Sequence, residues 1–142
     1  MILKSENEKV TIEAGKKFAS KIKPGDVVGL DGDLGSGKTQ FVKGICRYFR
    51  VTDRVNSPTF ILVNEYTGEE PDGGGQVKIY HFDLYRITNP AELDTIGFEE
   101  YIRKDSIVLI EWSEFAEKYL RMQFKRIKFE HGDDENIRII KF

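Results

Sequence analysis

Cysteine is nearly missing from this chain. Cys46 is the single thiol among 142 residues, so no internal disulfide can form, and a reducing, cytoplasmic setting is expected. Long apolar runs are missing too: no stretch of 18 or more apolar residues occurs, so nothing reads as a membrane span. The opening MILKSENEKV carries Lys4 and further charges where a secretory leader would hold its apolar core. Neither sign of charge dominates. The 22 Lys and Arg set against 24 Asp and Glu leave a net charge of -2, which argues against a global field for nucleic acid but leaves room for a local basic patch. There is no repeat and no internal linker, so residues 1–142 read as one domain. What is present, 39% hydrophobic and 32% charged residues, suits a globular domain able to bury a core.

The pattern of apolar residues and breakers predicts alternating elements. KVTIEAGKKFASKI (9–22) reads as a helix with Thr11 as its N-cap and Ala14, Phe18, Ala19 and Ile22 on one face. Lys-Pro-Gly at 23–25 breaks it, and Val27 to Asp31 follows as a short buried strand. The helix over 38–49 places Phe41, Val42, Ile45, Cys46 and Phe49 on its apolar side, which gives Cys46 a packing role. A strand from Thr59 to Tyr66, a Gly-rich tip at 69–75 and a strand from Gln76 predict a hairpin. Residues 88–104 read as helical in pieces, with Asn89 as cap, Pro90 at the first helical position and Gly97 as the interruption. SIVLIEW (106–112) is apolar without alternation, as a strand buried on both faces would be. A short helix capped by Ser113 comes next, then a final hairpin turning at 131–135. The expected fold is α/β, a three-layer sandwich around a mixed sheet that is parallel in its centre.

The stretch GDLGSGKT (32–39) satisfies G-x-x-x-x-G-K-[ST], with an apolar strand before it and an amphipathic helix starting inside it. The chemistry follows from the residue types. Successive backbone N–H groups around Gly35, Ser36 and Gly37 can curl about a polyphosphate, and the helix start through Thr39 and Gln40 aims its positive end at it. Lys38 adds a point charge for the β- and γ-oxygens, and Thr39 offers a hydroxyl to Mg²⁺. The expected ligands are ATP or ADP with Mg²⁺.

Hydrolysis needs more than a phosphate cradle. IVLIE ends in Glu111, the acid at a strand end that reaches Mg²⁺ directly or through water, although Asp is the commoner residue there. Asp83 closes VKIYHFD in a similar setting, and His81 lies two residues earlier on the same strand face, where a lone histidine is more often structural. His131 falls in a turn and is expected to be exposed. Arg86 could meet phosphate, a partner or an acid. Thr59, in SPTF (57–60), is the candidate for a switch hydroxyl that senses γ-phosphate and magnesium. An N-K-x-D guanine reader is absent, so GTP is disfavoured, and no segment reads as the arginine-bearing lid of a small-molecule kinase. Three functions stay in view: an ATPase, a small-molecule kinase, and a nucleotide-gated scaffold with incidental hydrolysis.

GDLGSGKT, SPTF followed by LV, HFDLYR, P-x-E-L with Gly97 after it, and VLIEW occur here in one order. In this the chain resembles the bacterial tRNA threonylcarbamoyladenosine biosynthesis ATPases of the TsaE (YjeE) type, P-loop proteins, from about Thr11 to Trp112. The resemblance implies a Mg²⁺-dependent ATPase, weak alone and stimulated by partners. It implies action with two partners of the TsaD and TsaB type in threonylcarbamoylation of N6 of adenosine 37 in tRNAs reading ANN codons, with tRNA contacted indirectly or weakly. It puts the Walker lysine on Lys38, magnesium ligands on Thr39 and Glu111, the motif aspartate on Asp83 and the switch threonine on Thr59. It also puts Thr11 near the adenine and Trp112 near the nucleotide. Two departures stand out: Ser113 where relatives often have proline, and an acidic turn, GDDEN (132–136), where relatives can carry a basic residue.

Overall fold

A computed structural model of the chain describes residues 1–33, 35–58, 62–102, 106–120 and 124–142. Its elements run β1 (Ile2–Ser5), α1 (Glu8–Ala19), β2 (Val27–Asp31), α2 (Lys38–Tyr48), β3 (Val63–Glu69), β4 (Gln76–Asp83), α3 (Ala91–Thr95), α4 (Phe98–Tyr101), β5 (Ser106–Glu111), α5 (Glu114–Leu120), β6 (Lys125–His131) and β7 (Arg138–Lys141). The strands form one sheet in the order β1-β7-β6-β2-β5-β4-β3. β6, β2, β5 and β4 are mutually parallel, and antiparallel pairs close both sides. The expected mixed sheet with a parallel centre is therefore what forms. Among the described residues no helix is long and apolar enough to cross a membrane.

The parallel centre explains the unbroken apolar runs. Successive residues of one strand serve opposite faces. Val28 and Leu30 of β2, with Ile107 and Leu109 of β5, pack under α1 and α2. Val27, Val108 and Ile110 pack with Phe82, Leu93, Phe98 and Ala116 on the α3, α4 and α5 side. Two cores, one on each face of the sheet, make the three layers. Cys46 belongs to the first core, and burial pushes its thiol up to about 12, so it is a packing residue.

Helices α1 and α2 meet through two glycines. A Cβ on Gly15 would lie 2.1 Å from the Phe41 carbonyl oxygen, and one on Gly44 would lie 2.0 Å from that of Ile12. Both obstacles are backbone, which cannot swing aside. Gly44→Ala is therefore expected to destabilise by about 2 kcal/mol despite alanine's better helix propensity. The melting temperature, read by circular dichroism, should fall by about 5–8 °C.

Several local expectations need correction. α1 starts three residues before Thr11: Asn7 is the N-cap, its Oδ1 accepting from Val10 N at 3.0 Å, and Thr11 lies buried inside the helix. β1 has no counterpart in the sequence reading. It is four residues long and mostly exposed, and it forms only because β7 offers an edge to pair with. The last turn is displaced, because His131 and Arg138 are strand partners and the chain reverses over 132–137. The strand expected from Thr59 begins at Val63, while Thr59 itself lies outside the described residues. Gly97 behaves as expected, separating α3 from α4 at φ 68°, but Pro90 rather than Asn89 is the N-cap of α3, with Asn89 Oδ1 accepting from Ala91 N at 3.0 Å just ahead of it.

Candidate nucleotide site

Three acids end three adjacent parallel strands. Leu30 and Glu111 are register partners across β2 and β5, as are Glu111 and Asp83 across β5 and β4, and Asp31 is the last residue of β2. The crevice beyond the carboxyl ends of parallel strands is where open α/β sheets bind ligands. Alternation sorts the acids. Asp83 and Glu111 fall on the α1/α2 face, toward the 32–37 loop. Asp31 falls on the opposite face, where it accepts from Ser113 Oγ at 2.8 Å and from Arg126 Nε and a terminal guanidinium nitrogen at 2.9 and 2.7 Å. Ser113 thus precedes α5 as expected, and its hydroxyl serves Asp31.

The loop between β2 and α2 has the backbone that its glycines permit. Gly35 and Gly37 sit at φ 77° and 102°, where a side chain would be strained. Lys38, 4% exposed, opens α2. Its ammonium donates to the Gly32 carbonyl, folding back on its own loop, and lies 4.1 Å from the centre of the Trp112 ring. Burial pulls its pKa below the usual lysine range, while Glu111, Asp83, Asp31 and Asp33 pull the other way. Ser36 is buried, and its hydroxyl has no hydrogen-bond partner among the described residues. A buried orphan hydroxyl in such a loop calls for an acceptor, and a phosphate oxygen supplies one.

A cavity of about 740 Å³ opens over this loop. Thr11, Gly35, Gly37, Lys38, Thr39, Gln40, Asp83 and Glu111 all line it, so most of the sequence-predicted residues converge on one space. Ser36 lies just beneath the lining, and Trp112 reaches it through Lys38. Trp112 holds a left-handed backbone (φ 60°), and its ring packs at a tilt against that of Tyr85, ring centres 5.0 Å apart. Such strain in a non-glycine residue costs about 1–3 kcal/mol and collects at functional sites. Thr11 sits 3% exposed, its hydroxyl 2.6 Å from that of Ser5.

Asp83 ties the cavity to the SPTF segment. Its Oδ1 accepts from Tyr85 N at 2.9 Å and its Oδ2 from Ser57 Oγ at 3.1 Å. Thr59 lies outside the described residues, so its expected switch role has no geometry here. Among the described residues no group of three or more His, Cys, Asp or Glu could hold a metal by itself. Thr39 and Glu111 would hold Mg²⁺ only with phosphate oxygens and water completing its shell, which is that ion's usual habit.

Two contributors, Ser57 and Arg138, escaped the sequence reading, and a third, His81, reads there as structural. Ser57 was passed over for its neighbour Thr59. His81 donates to Glu111 (Nε2 to Oε2 2.6 Å) with both side chains buried, so the strand histidine is in direct contact with the site. Arg138 lines the cavity just after the acidic turn, and its Nε donates to the Gly35 carbonyl at 3.0 Å. The basic residue of the final hairpin is thus present beyond the turn, and the His131 to Arg138 strand pairing is the signal that would have placed it. Arg86 is exposed and outside the cavity lining.

Comparison with known proteins agrees with this geometry. The family model described as "Threonylcarbamoyl adenosine biosynthesis protein TsaE" matches residues 5–140. The tRNA threonylcarbamoyladenosine biosynthesis protein TsaE of Bacillus subtilis is 38% identical over 130 residues, spanning 91% of this chain and 77% of the relative. That of Haemophilus influenzae is 39% identical over 132 residues, spanning 89% and 80%. The crystal structure of Bacillus subtilis YdiB superposes with a TM-score of 0.77 at 31% identity, covering 99% of this chain and 82% of that one. A match over almost the whole sequence, carried on the same fold, establishes that the chain belongs to the TsaE family.

Proposed function

We propose that this chain is a Mg²⁺-dependent ATPase, slow by itself, that serves threonylcarbamoylation of N6 of adenosine 37 in tRNAs reading ANN codons. It would work in the cytoplasm with two partners of the TsaD and TsaB type. The observation that carries the reading is the convergence of Lys38, Asp83 and Glu111 on one cavity at the carboxyl ends of β2, β5 and β4. Family membership supports the tRNA-modification role.

The residues divide the work. The 35–37 backbone and the start of α2 cradle the phosphates, and the Ser36 hydroxyl gains the acceptor it lacks. Lys38 leaves the Gly32 carbonyl for the β- and γ-oxygens, and the added negative charge opposes the effect of burial on its ammonium. Thr39 and Glu111 hold the metal side. Magnesium, when bound, neutralises charge on the β- and γ-phosphates. Thr11 and Gln40 line the same cavity, Thr11 toward the adenine and Gln40 at the start of α2, with Trp112 packed beneath Lys38. Asp83 and Ser57 give the site a handle on the SPTF segment, so loss of the γ-phosphate releases that segment. Weak turnover follows if the transition-state charge waits for a cation supplied by a partner.

Reconstitution tests this reading. The chain is combined with TsaD- and TsaB-type partners, tRNA and a threonylcarbamoyl-adenylate donor, and modified adenosines per complex are counted. Multiple turnovers are expected only with the chain and ATP, with ATP converted to ADP and phosphate and the adenylate donor releasing AMP. A phosphorylated small-molecule acceptor would instead make it a kinase, and repeated turnover with a hydrolysis-dead variant would make it a scaffold.

A further inference from the structure

We infer that His81 is a positioning residue for the metal-side carboxylate: it fixes Glu111 Oε2 against the sheet so that Oε1 addresses the cavity, and Tyr66 in turn fixes His81. The inference rests on the reading of Glu111 as the magnesium-side acid. Among the described residues, the one side-chain hydrogen bond to Glu111 comes from His81, at 2.6 Å. Lys38, although close enough to act through its charge, is bonded to the Gly32 carbonyl. His81 is fully buried and Glu111 is 3% exposed, so water cannot replace the contact. His81 and Asp83 share one face of β4, and Asp83 is the register partner of Glu111, so the histidine reaches its acid diagonally between paired strands.

The hydrogen-bond accounting fixes the ring. A carboxylate only accepts, so Nε2 carries a proton. The Tyr66 hydroxyl lies 3.3 Å from Nδ1, within hydrogen-bond reach of the other side of the ring. That hydroxyl donates to the Asn56 carbonyl at 3.1 Å, which also accepts from Asn64 Nδ2 at 2.9 Å. Asn64 Nδ2 lies 3.2 Å from the Tyr66 oxygen as well, so Tyr66 is held in place beside the His81 ring. Carboxylates that hold metals are commonly held this way, and loss of the outer partner typically costs about 10–100-fold in metal affinity.

The test is nucleotide affinity by calorimetry, with and without magnesium, in the wild type, His81→Asn, His81→Gln and Tyr66→Phe, each checked for folding by its melting temperature. Asparagine is too short to reach Glu111, whereas glutamine places an amide N–H near the position of Nε2. The magnesium enhancement of binding should fall about tenfold in His81→Asn, with metal-free affinity held within about twofold, and should return in His81→Gln. Tyr66→Phe should lose about threefold. A folded His81→Asn that keeps the wild-type enhancement, or a His81→Gln no better than His81→Asn, overturns the inference. A second arm needs no metal. The chain has two histidines, so a labelled-histidine NMR spectrum resolves His81. A downfield Nε2–H that shifts in Glu111→Gln is expected, and a His81 protonated on Nδ1 alone overturns the inference. If the wild type itself shows no magnesium enhancement while this NMR signature is present, the reading of Glu111 as the metal-side acid is what fails.

Discussion

Lys38→Ala is expected to bind ATP about 100-fold more weakly than the wild type, a loss of about 2–3 kcal/mol, the scale of one charge-assisted hydrogen-bonding group in a dry site. Three features of the site set this magnitude. The ammonium is 4% exposed, so its interaction with phosphate is little screened. Its hydrogen-bond partner among the described residues is one neutral carbonyl, Gly32, which a doubly charged phosphate readily outcompetes. Its removal also leaves Glu111 and Asp83 facing the incoming phosphates without a cation between them. Lys38→Arg restores less than charge alone would suggest, because a guanidinium does not fit the space over the Trp112 ring in the same way. Calorimetry with ATP and ADP measures both variants. An affinity for Lys38→Ala within about threefold of wild type would mean that the loop is not gripping phosphate through this residue.

The second large effect separates binding from turnover. Glu111→Gln is expected to lower ATP hydrolysis about 100-fold, while ADP affinity without magnesium changes less than about threefold. Glutamine keeps the volume and an oxygen that can accept from His81, so the sheet around it is undisturbed. What it removes is one negative charge at the point where the metal side of the site needs it. The discriminating measurement is the ratio of the two losses. Equal losses in metal-free ADP binding and in hydrolysis would make Glu111 a structural acid of the strand end.

Much of this was legible in the sequence, and the reason is visible in particular residues. GDLGSGKT is local: its glycines, lysine and threonine act through backbone they themselves shape, so the loop, its strand and its helix follow from spacing alone. The unbroken apolar runs of β2 and β5 announced a parallel centre because each serves two cores. Long-range pairings were not legible. β1 depends on an edge some 135 positions away, and its own four residues carry no pattern. His81 shows its role only when β4 lies beside β5. Arg138 reaches Gly35 only because β6 and β7 fold back along β2. Thr11 reads as a cap by residue type, yet Asn7 takes that place and Thr11 turns inward to line the cavity.

The interlocked backbones at Gly15 and Gly44 give the cavity one unyielding jaw. α1 carries Thr11 and α2 carries Lys38, Thr39 and Gln40. With backbone against backbone at these two glycines and Phe18 packed on Phe41 beside them, these residues keep a fixed spacing, like the anvil of a micrometer. The opposite jaw is made of strand ends, Glu111 and Asp83, the latter accepting from Ser57 Oγ at 3.1 Å and from Tyr85 N at 2.9 Å. In the proposed nucleotide cycle, the β4 side, through Ser57, is where a docking partner is expected to sense the change.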